Sequence, residues 1–344
     1  MYNGILVCDL SRRDKRNFFT QNLIASLSLD DRISIEVQDI ASCNYSRNID
    51  KPIDFVIQDC DPSFFCKTPY LNFGIFEGRA KEDATDNLKF LDCCIVANTQ
   101  QMHIARTKLD QERVAVVKPT LHFELQSKKY DNKISQLVFY CTSIEGAESI
   151  LPAYFNAFDT NDNVALGFFH HDSQQIMDLV NSIKKRMNLY GGKDLYPDII
   201  IFPNQETAHQ RGHIFLDMSE THLVNEQTMI ATKFGNPVII TSSNGMGQWF
   251  KGQEEIDKGQ LRYVNNVIVV RADDAYVQEN TLGFKVNSCD LSKKMSILAD
   301  PTNREGLLKT MQSANMPNST CLFDYSKESS IGELICLALS IDWA

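Results

Sequence analysis

The chain has 344 residues, of which 43% are hydrophobic and 23% are charged, and its formal net charge is −10. This length suits two ordinary domains, and the composition is that of a globular protein. The acidic charge argues against binding along nucleic-acid backbones, which requires clustered Lys and Arg. No apolar run approaches the ~20 residues that span a bilayer, and the first residues, MYNGILVCDL, do not resemble a secretion signal.

In the first half of the chain, apolar segments alternate with helical patterns, which indicates an α/β domain with a parallel sheet. Strands are predicted at 5–10, 34–40, 54–59, 71–77, 93–98 and 114–119, and a helix is predicted at 17–27. These elements predict a Rossmann-like domain over residues 1–125. The polar segment 126–135 is the predicted hinge.

The second half repeats the same alternation, so a second Rossmann-like domain is predicted over residues 136–315. Strands are predicted at 136–142, 163–169, 198–203, 213–218 and 238–241, and helices at 148–158 and 174–187. A closing helix is expected within 316–344, and the pattern leaves open which domain it packs against. In parallel sheets ligands bind at the carboxyl ends of strands, so the loops after these strands are the candidate sites.

Ten cysteines lie mostly within apolar segments, and their spacing matches no Cys/His metal site. The adjacent pair His170 and His171 also lacks the spacing of a mononuclear metal site. We therefore expect reduced thiols in a cytoplasmic protein, with no metal and no cofactor. Peripheral attachment to a membrane and the oligomeric state are left open.

Two segments of the second half carry a family resemblance. ATKFGNPVIIT (231–241) matches an Ala-x-x-x-Gly-x-Pro-Val-Ile element, and QLVFYCTSIEGAESILPAYFNAF (136–158) resembles a strand, substrate loop and helix in sequence. Both are similar to the donor domain of GT-B glycosyltransferases, in the large retaining family that includes sucrose synthase and bacterial mannosyltransferases. The first half resembles the same family more loosely. The resemblance implies two Rossmann-like domains facing a central cleft, and sugar transfer from a nucleotide-diphosphate sugar without a metal and with retained configuration.

The chain departs from this family at the donor site. Members place two glutamates eight positions apart before the Gly-x-Pro element, and those positions hold His222 and Ile230 here. The family's basic residues after the first donor strand are also missing from TSIEGAES (142–149). The leading interpretation is a glycosyltransferase acting on a glycan, a lipid-linked acceptor or, less favoured because of the acidic charge, a modified nucleobase. The alternatives are a non-catalytic binding or scaffold protein of the same fold, and another nucleotide-sugar enzyme such as an epimerase.

The donor site is predicted around the start of a short helix. Asn225 is a good N-cap, so the backbone of Leu223, Val224 and the next residues is predicted to hold a diphosphate with its N–H groups. Glu226 is the preferred ribose ligand, because a carboxylate accepts two hydrogen bonds from a diol. Glu220 competes for that role. The alternative is that Glu226 only complements the helix N-terminus.

Other donor-site candidates follow from position in the resembled family. His222 replaces the first glutamate, so it is a candidate to bind a sugar hydroxyl or a phosphate oxygen. Arg12, Arg13 and Arg211 are candidates to neutralise phosphate, although each is equally suited to be a surface charge. The loops after two donor-domain strands add Ser143, Asn244 and Gly245.

The acceptor-side candidates follow two strands of the first domain. Asp59, Asp61, Glu77 and Arg79 come at or just after the strand ends. Asp61 is a candidate catalytic residue together with His222 and Glu220, since an inverting enzyme needs a general base. Alternatively, Asp61 makes a turn with Pro62, and Glu77 pairs with Arg79.

Overall fold

The structure is a computed structural model that describes residues 1–10, 15–43, 52–77, 82–122, 134–189, 196–219, 224–250, 255–257, 260–262, 267–278, 281–314 and 330–340. Its two main sheets each have six parallel strands, as the alternating pattern predicts. The predicted hinge falls almost wholly outside the described residues, so the domain boundaries stay predictions.

The first sheet has the order β2-β1-β3-β4-β5-β6. Its strands are β1 (Tyr2–Cys8), β2 (Ile33–Asp39), β3 (Phe55–Asp59), β4 (Leu71–Ile75), β5 (Cys93–Val96) and β6 (Val114–Val116). The first domain also contains α1 (Lys15–Ser28), α2 (Thr99–Ala105) and the 3₁₀ segments Pro62–Phe64, Glu82–Phe90 and Gln111–Arg113. All six predicted strands are present, with ends shifted by at most three residues.

From β7 onwards the described residues form ten further strands and seven further helices. The strands are β7 (Leu137–Cys141), β8 (Val164–Phe168), β9 (Asp198–Ile201), β10 (Ile214–Asp217), β11 (Val238–Thr241), β12 (Glu255–Asp257), β13 (Gln260–Arg262), β14 (Val267–Val270), β15 (Ala272–Gln278) and β16 (Thr281–Val286). The helices are α3 (Ala147–Ala157), α4 (Ser173–Arg186), α5 (Gln205–Arg211), α6 (Glu226–Lys233), α7 (Ser288–Ala299), α8 (Pro301–Ala314) and α9 (Ile331–Ser340).

The second sheet has the order β14-β11-β10-β7-β8-β9, while β12–β13 and β15–β16 form antiparallel hairpins. Both faces of the sheet are covered. Leu137 and Phe139 of β7 belong to one apolar cluster, whereas Val138 and Tyr140 belong to a second cluster. Because successive side chains of a strand point to opposite faces, burial on both faces explains the continuous apolar runs in the sequence.

Side chains that cap the first turn determine where several helices begin. An Asn or Asp accepts a hydrogen bond from a backbone N–H two or three residues later, which satisfies a donor that has no partner inside the helix. These caps are Asn98 for α2, Asp172 for α4, Asn204 for α5, Asn225 for α6 and Asn287 for α7. None of the helices found among the described residues is both long enough and apolar enough to cross a membrane.

The last helix, α9, packs against the first domain. Ile335 and Cys336 are buried in the apolar cluster that includes Leu6 and Leu27. Glu333 accepts a hydrogen bond from Arg32 at 2.8 Å. The chain therefore returns to the domain in which it started, which answers the question that the sequence pattern leaves open.

Candidate functional site

Asp217, the last residue of β10, organises the carboxyl edge of the second sheet. Its buried carboxylate accepts hydrogen bonds from the backbone N of Ser219 at 3.2 Å and from the Ser219 hydroxyl. The other oxygen accepts from the Thr228 hydroxyl at 2.5 Å and from the Asn244 amide at 2.9 Å. One carboxylate thus joins β10, α6 and the loop after β11. The sequence prediction missed it, and its only signal is an acidic residue at the end of the apolar run HIFLDM.

Helix α6 begins at this edge as predicted. The Asn225 side chain accepts a hydrogen bond from the backbone N of Gln227 at 3.0 Å, and the Asn225 carbonyl accepts from the backbone N of Thr228 at 3.2 Å. The cap therefore uses two of the first N–H groups, including that of Gln227, which the sequence predicts for a diphosphate. The rest of the predicted diphosphate site is the backbone before Gln227. The structure describes Val224 in that segment but not Leu223.

Beneath α6 lies a buried polar network centred on His209 of α5. The Tyr140 hydroxyl is 2.9 Å from His209 Nδ1, and Asn236 Nδ2 lies 2.6 Å from that hydroxyl. Asn236 Nδ2 also donates to the His209 carbonyl at 2.9 Å, which fixes the orientation of the amide. The imidazole ring stacks on Phe234, with 5.6 Å between ring centroids.

The network continues to the first turn of α6. His209 Nε2 is 2.9 Å from Gln227 Oε1, and Gln227 Nε2 donates to Glu226 Oε1 at 3.0 Å. Because Gln227 Oε1 can only accept, a neutral His209 imidazole carries its proton on Nε2, and its Nδ1 accepts from the Tyr140 hydroxyl. Glu226 is buried, and its bond to Gln227 holds the carboxylate in one orientation.

The loops around Asp217 are closely packed. Gly146, in the loop after β7, has φ = 76°, and a Cβ at this position would lie 2.5 Å from the Met218 carbonyl oxygen. Glycine is required because L-residues with a side chain rarely adopt this conformation. The loop, which also contains Ser143, therefore lies beside the end of β10.

Two further predicted donor residues lie in the loop after β11. Asn244 is buried, and besides its bond to Asp217 its Oδ1 accepts from the backbone N of Met246 at 2.8 Å. Gly245 lies in the buried turn that follows. Asn244 therefore holds the loop in place.

Arg211 is a predicted phosphate ligand. This residue ends α5, and two residues separate it from the start of β10. In a parallel unit the helix runs from the carboxyl edge of the sheet back to the amino edge, so Arg211 lies at the edge opposite to Asp217.

The first domain contributes a cavity of about 200 Å³ at the carboxyl ends of β3 to β6. Asp59 and Glu77 line it, and Val224 lines it from the second domain, one residue before the α6 cap. Asp59 is buried and accepts a hydrogen bond from the Thr20 hydroxyl at 2.5 Å. The structure thus brings two predicted acceptor-side residues next to the predicted donor helix.

Asp61 is not among the residues that line this cavity. Its carboxylate accepts hydrogen bonds from the backbone N of Ser63 at 2.9 Å and from the Ser63 hydroxyl at 2.7 Å. Asp61 therefore caps a 3₁₀ turn that Pro62 begins, which is the alternative that the sequence left open.

Cys8 ends β1 directly beside Asp59, its partner in the strand register. Burial, followed by the charge of Asp59, raises the pKa of the Cys8 thiol to about 11. At neutral pH the thiol is protonated, so Cys8 does not serve as a nucleophile at this edge.

Six predicted site residues lie outside the described residues. They are Arg12, Arg13, Arg79, Glu220, Leu223 and His222. Within the part of the chain that the structure describes, no group of three or more His, Cys, Asp or Glu side chains has an arrangement suited to a metal ion.

The two domains contact each other through the 3₁₀ segment Gly247–Trp249, which we call the latch. Trp249 Nε1 donates to the Ala97 carbonyl at 2.7 Å. Gln248 Oε1 accepts from the backbone N of Thr99 at 2.7 Å and from its hydroxyl at 2.8 Å. The latch directly follows the loop whose Asn244 bonds to Asp217.

We expect the double variant Gln248→Ala/Trp249→Phe to shift the protein towards more separated domains. It removes three interdomain hydrogen bonds of the latch, each of which contributes about 1 kcal/mol of stability. Small-angle X-ray scattering should show a larger radius of gyration. Gln174→Ala, which removes a surface hydrogen bond within α4, is the control. Scattering curves identical to those of the original chain would show that the latch does not hold the domains together.

No protein-family model matches this sequence, and no curated protein matches it. Solved structures do match. HepE from Anabaena, solved in complex with UDP and glucose, aligns with a TM-score of 0.61 and 10% identity over 99% of this chain and 100% of that one. Sucrose-phosphate synthase from Thermosynechococcus elongatus aligns with a TM-score of 0.60 and 12% identity over 99% of this chain and 100% of that one. The lipopolysaccharide outer core galactosyltransferase WaaB aligns with a TM-score of 0.60 and 10% identity over 91% of this chain and 95% of that one.

The chain has the GT-B fold. The predicted architecture of two Rossmann-like domains is thereby confirmed, since these matches extend over both parallel sheets. The carboxyl edges of the two GT-B sheets carry Asp59 and Glu77 on one side and Asp217 and the α6 start on the other. A fold hosts many activities, so function has to be argued from these residues.

Proposed function

We propose that the chain is a glycosyltransferase that moves a sugar from a nucleotide-diphosphate sugar to an acceptor. The observation that carries the proposal is the arrangement around Val224. This residue precedes the capped start of α6 and also lines the cavity that contains Asp59 and Glu77. Donor-side and acceptor-side groups therefore meet in one place, as transfer between two substrates requires.

The donor is proposed to be a UDP-sugar or a GDP-sugar. HepE, which shares the fold, was solved with UDP and with UDP-glucose, and this supports a uridine nucleotide for the first experiment. The departing diphosphate would be stabilised by the backbone N–H groups before Gln227 and by the positive end of the α6 dipole, without a metal. Retention of configuration follows from the family resemblance alone.

The second candidate function is a binding protein that keeps the fold without the chemistry. It is favoured because several groups predicted to bind the donor are hydrogen-bonded to other groups of the protein. Asn244 and Asp217 bond to each other, Glu226 bonds to Gln227, and the Asn225 cap uses the Gln227 amide.

Incubation with a panel of UDP-sugars and GDP-sugars, following release of the nucleoside diphosphate, separates the two candidates. Release that continues in EDTA supports a metal-independent transferase, and release that stops in EDTA contradicts the proposed lack of a metal. Nucleotide binding without release favours the binding protein. If no nucleotide binds, both candidates that use the donor site fail.

Glu226→Ala is expected to weaken UDP binding about tenfold, because a carboxylate that accepts two hydrogen bonds from the ribose is lost. Calorimetric titration with UDP measures the change. The matched control is Glu206→Ala, since Glu206 is also an acidic first-turn residue, in α5, but is exposed. Equal affinities for the Glu226 variant and the original chain would leave Glu226 with only a structural role.

Several further properties belong to the same proposal. A nucleic-acid acceptor is disfavoured because the net charge of −10 opposes backbone binding, and the acceptor classes kept in the proposal are a glycan, a lipid-linked molecule and a small alcohol. A cytoplasmic location stays a prediction, as does peripheral contact with a membrane. The chemistry of the acceptor is narrowed further by the cavity in the first domain.

A further inference from the structure

The lining of the cavity in the first domain is mainly apolar. Leu23, Ile75, Ile95, Val117 and Ile331 contribute side chains to it. Its volume of about 200 Å³ exceeds the ~150 Å³ of an engineered apolar cavity that binds benzene. One six-membered ring therefore fits.

Two amide side chains of the lining are engaged with the backbone. Asn22 Oδ1 accepts from the backbone N of His122 at 2.9 Å. Gln101 Oε1 accepts from the backbone N of Ala97 at 2.8 Å, and its Nε2 donates to the Glu77 carbonyl at 2.9 Å. A sugar ring carries a hydroxyl on most of its carbons, and burying these hydroxyls without partners is costly. The cavity therefore suits an apolar ring better than a sugar ring.

The charges of the lining select against an anionic ligand. The described lining residues include two carboxylates, Asp59 and Glu77, and one ammonium group, Lys118. Asp59 is 3% exposed, and a carboxylate with its several lone pairs accepts a hydroxyl proton readily. An uncharged hydroxyl compound matches this lining, and a lipid phosphate does not.

We propose that the acceptor is an uncharged phenol or cyclic alcohol whose ring occupies this cavity and whose hydroxyl donates to Asp59; this rests on the proposed sugar transfer. The acceptor oxygen then forms the bond to the anomeric carbon of the sugar. The bond from that carbon to the diphosphate breaks, and its electron pair leaves with the nucleoside diphosphate. Asp59 positions the hydroxyl, and the hydroxyl proton passes to an oxygen of the departing diphosphate, which suits transfer with retained configuration.

The test uses the full chain with phenol, cyclohexanol and glucose as probes, titrated by calorimetry with and without UDP. Ser26→Phe fills the cavity, because Ser26 of α1 lines it. Ser28→Phe is the matched control, since Ser28 ends the same helix and is exposed. Val117→Phe fills the cavity from the residue that follows β6 and replaces the first variant if Ser26→Phe does not fold. Both filling variants should weaken phenol binding at least about tenfold.

The expected result is that phenol and cyclohexanol bind more tightly than glucose, that Ser28→Phe preserves their affinity, and that phenyl glycoside forms when a donor sugar is added. Glucose binding more tightly than phenol overturns the inference, as does phenol affinity unchanged by a filled cavity. Ring binding in a chain that binds no nucleotide refutes the proposed transfer, and the acceptor assignment fails with it. Donor turnover without any ring binding refutes the acceptor class and leaves the proposed transfer standing.

Discussion

Replacing Asp217 with Ala is expected to lower the free energy of unfolding by about 3 kcal/mol and to abolish measurable UDP binding. The variant leaves the buried hydroxyl of Thr228 and the amide of Asn244 without their common acceptor. Each unsatisfied buried donor costs about 1–3 kcal/mol. Because the start of α6 and the loop after β11 lose the group that joins them, the donor site should lose its geometry together with its stability.

Urea unfolding and calorimetric titration with UDP measure the two effects. Asp217→Asn tests the same point with a smaller change. The Asn amide keeps one accepting oxygen but places its N–H groups against other donors, so we expect an intermediate loss of stability and of UDP affinity. Asp178→Ala, at an exposed acid on α4, is the control for removing a carboxylate. If Asp217→Ala unfolded at the same urea concentration as the control, the carboxylate would not be the organising group of this edge.

Replacing His209 with Phe is expected to destabilise the protein by about 3 kcal/mol, because the Tyr140 hydroxyl and Gln227 Oε1 each lose a buried partner. Gln227 would then no longer be held against Glu226. If Glu226 binds the ribose, UDP affinity should fall in the folded variant as well. His209 acts here as a positioning residue, through Gln227.

Tyr140→Phe provides a graded version, because it removes only the hydroxyl that bridges Asn236 and His209. We expect it to cost about half as much stability. His103→Phe, at an exposed position in α2, is the control. Unfolding curves and UDP titrations are again the measurements, and a network with no role in the donor site would lower stability while leaving the affinity for UDP unchanged.

Features that depend on neighbouring residues could be predicted from the sequence. The strands of both sheets appear as apolar runs, and Asn225 is a recognisable cap because its bonding partner, Gln227, is two residues away. Asp59 and Glu77 were predicted to lie near each other because parallel strands bring their carboxyl ends to one edge, and both line the same cavity. The same rule, applied to helices, places Arg211 at the opposite edge.

The polar groups that organise the site could not be predicted in this way. Asp217 and Asn244 are hydrogen-bonded but lie 27 positions apart in the sequence. Tyr140 and His209 are hydrogen-bonded and lie 69 positions apart. Nothing in either residue type specifies such a partner, since buried Asp, Tyr and His accept many hydrogen-bonding environments. The partners are determined by the packing of α5, α6 and the second sheet, which exists only after the domain has folded.

The return of α9 to the first domain has a consequence for biosynthesis. Arg32 and Glu333, which bond to each other, are 301 positions apart, and Ile335 belongs to the same apolar cluster as Leu6. Domains generally fold as the chain emerges from the ribosome, with the N-terminal domain first. Here the first domain exposes part of its core until the ribosome has translated the last helix. A chaperone that shields this surface should therefore associate with the nascent chain until α9 has been synthesised.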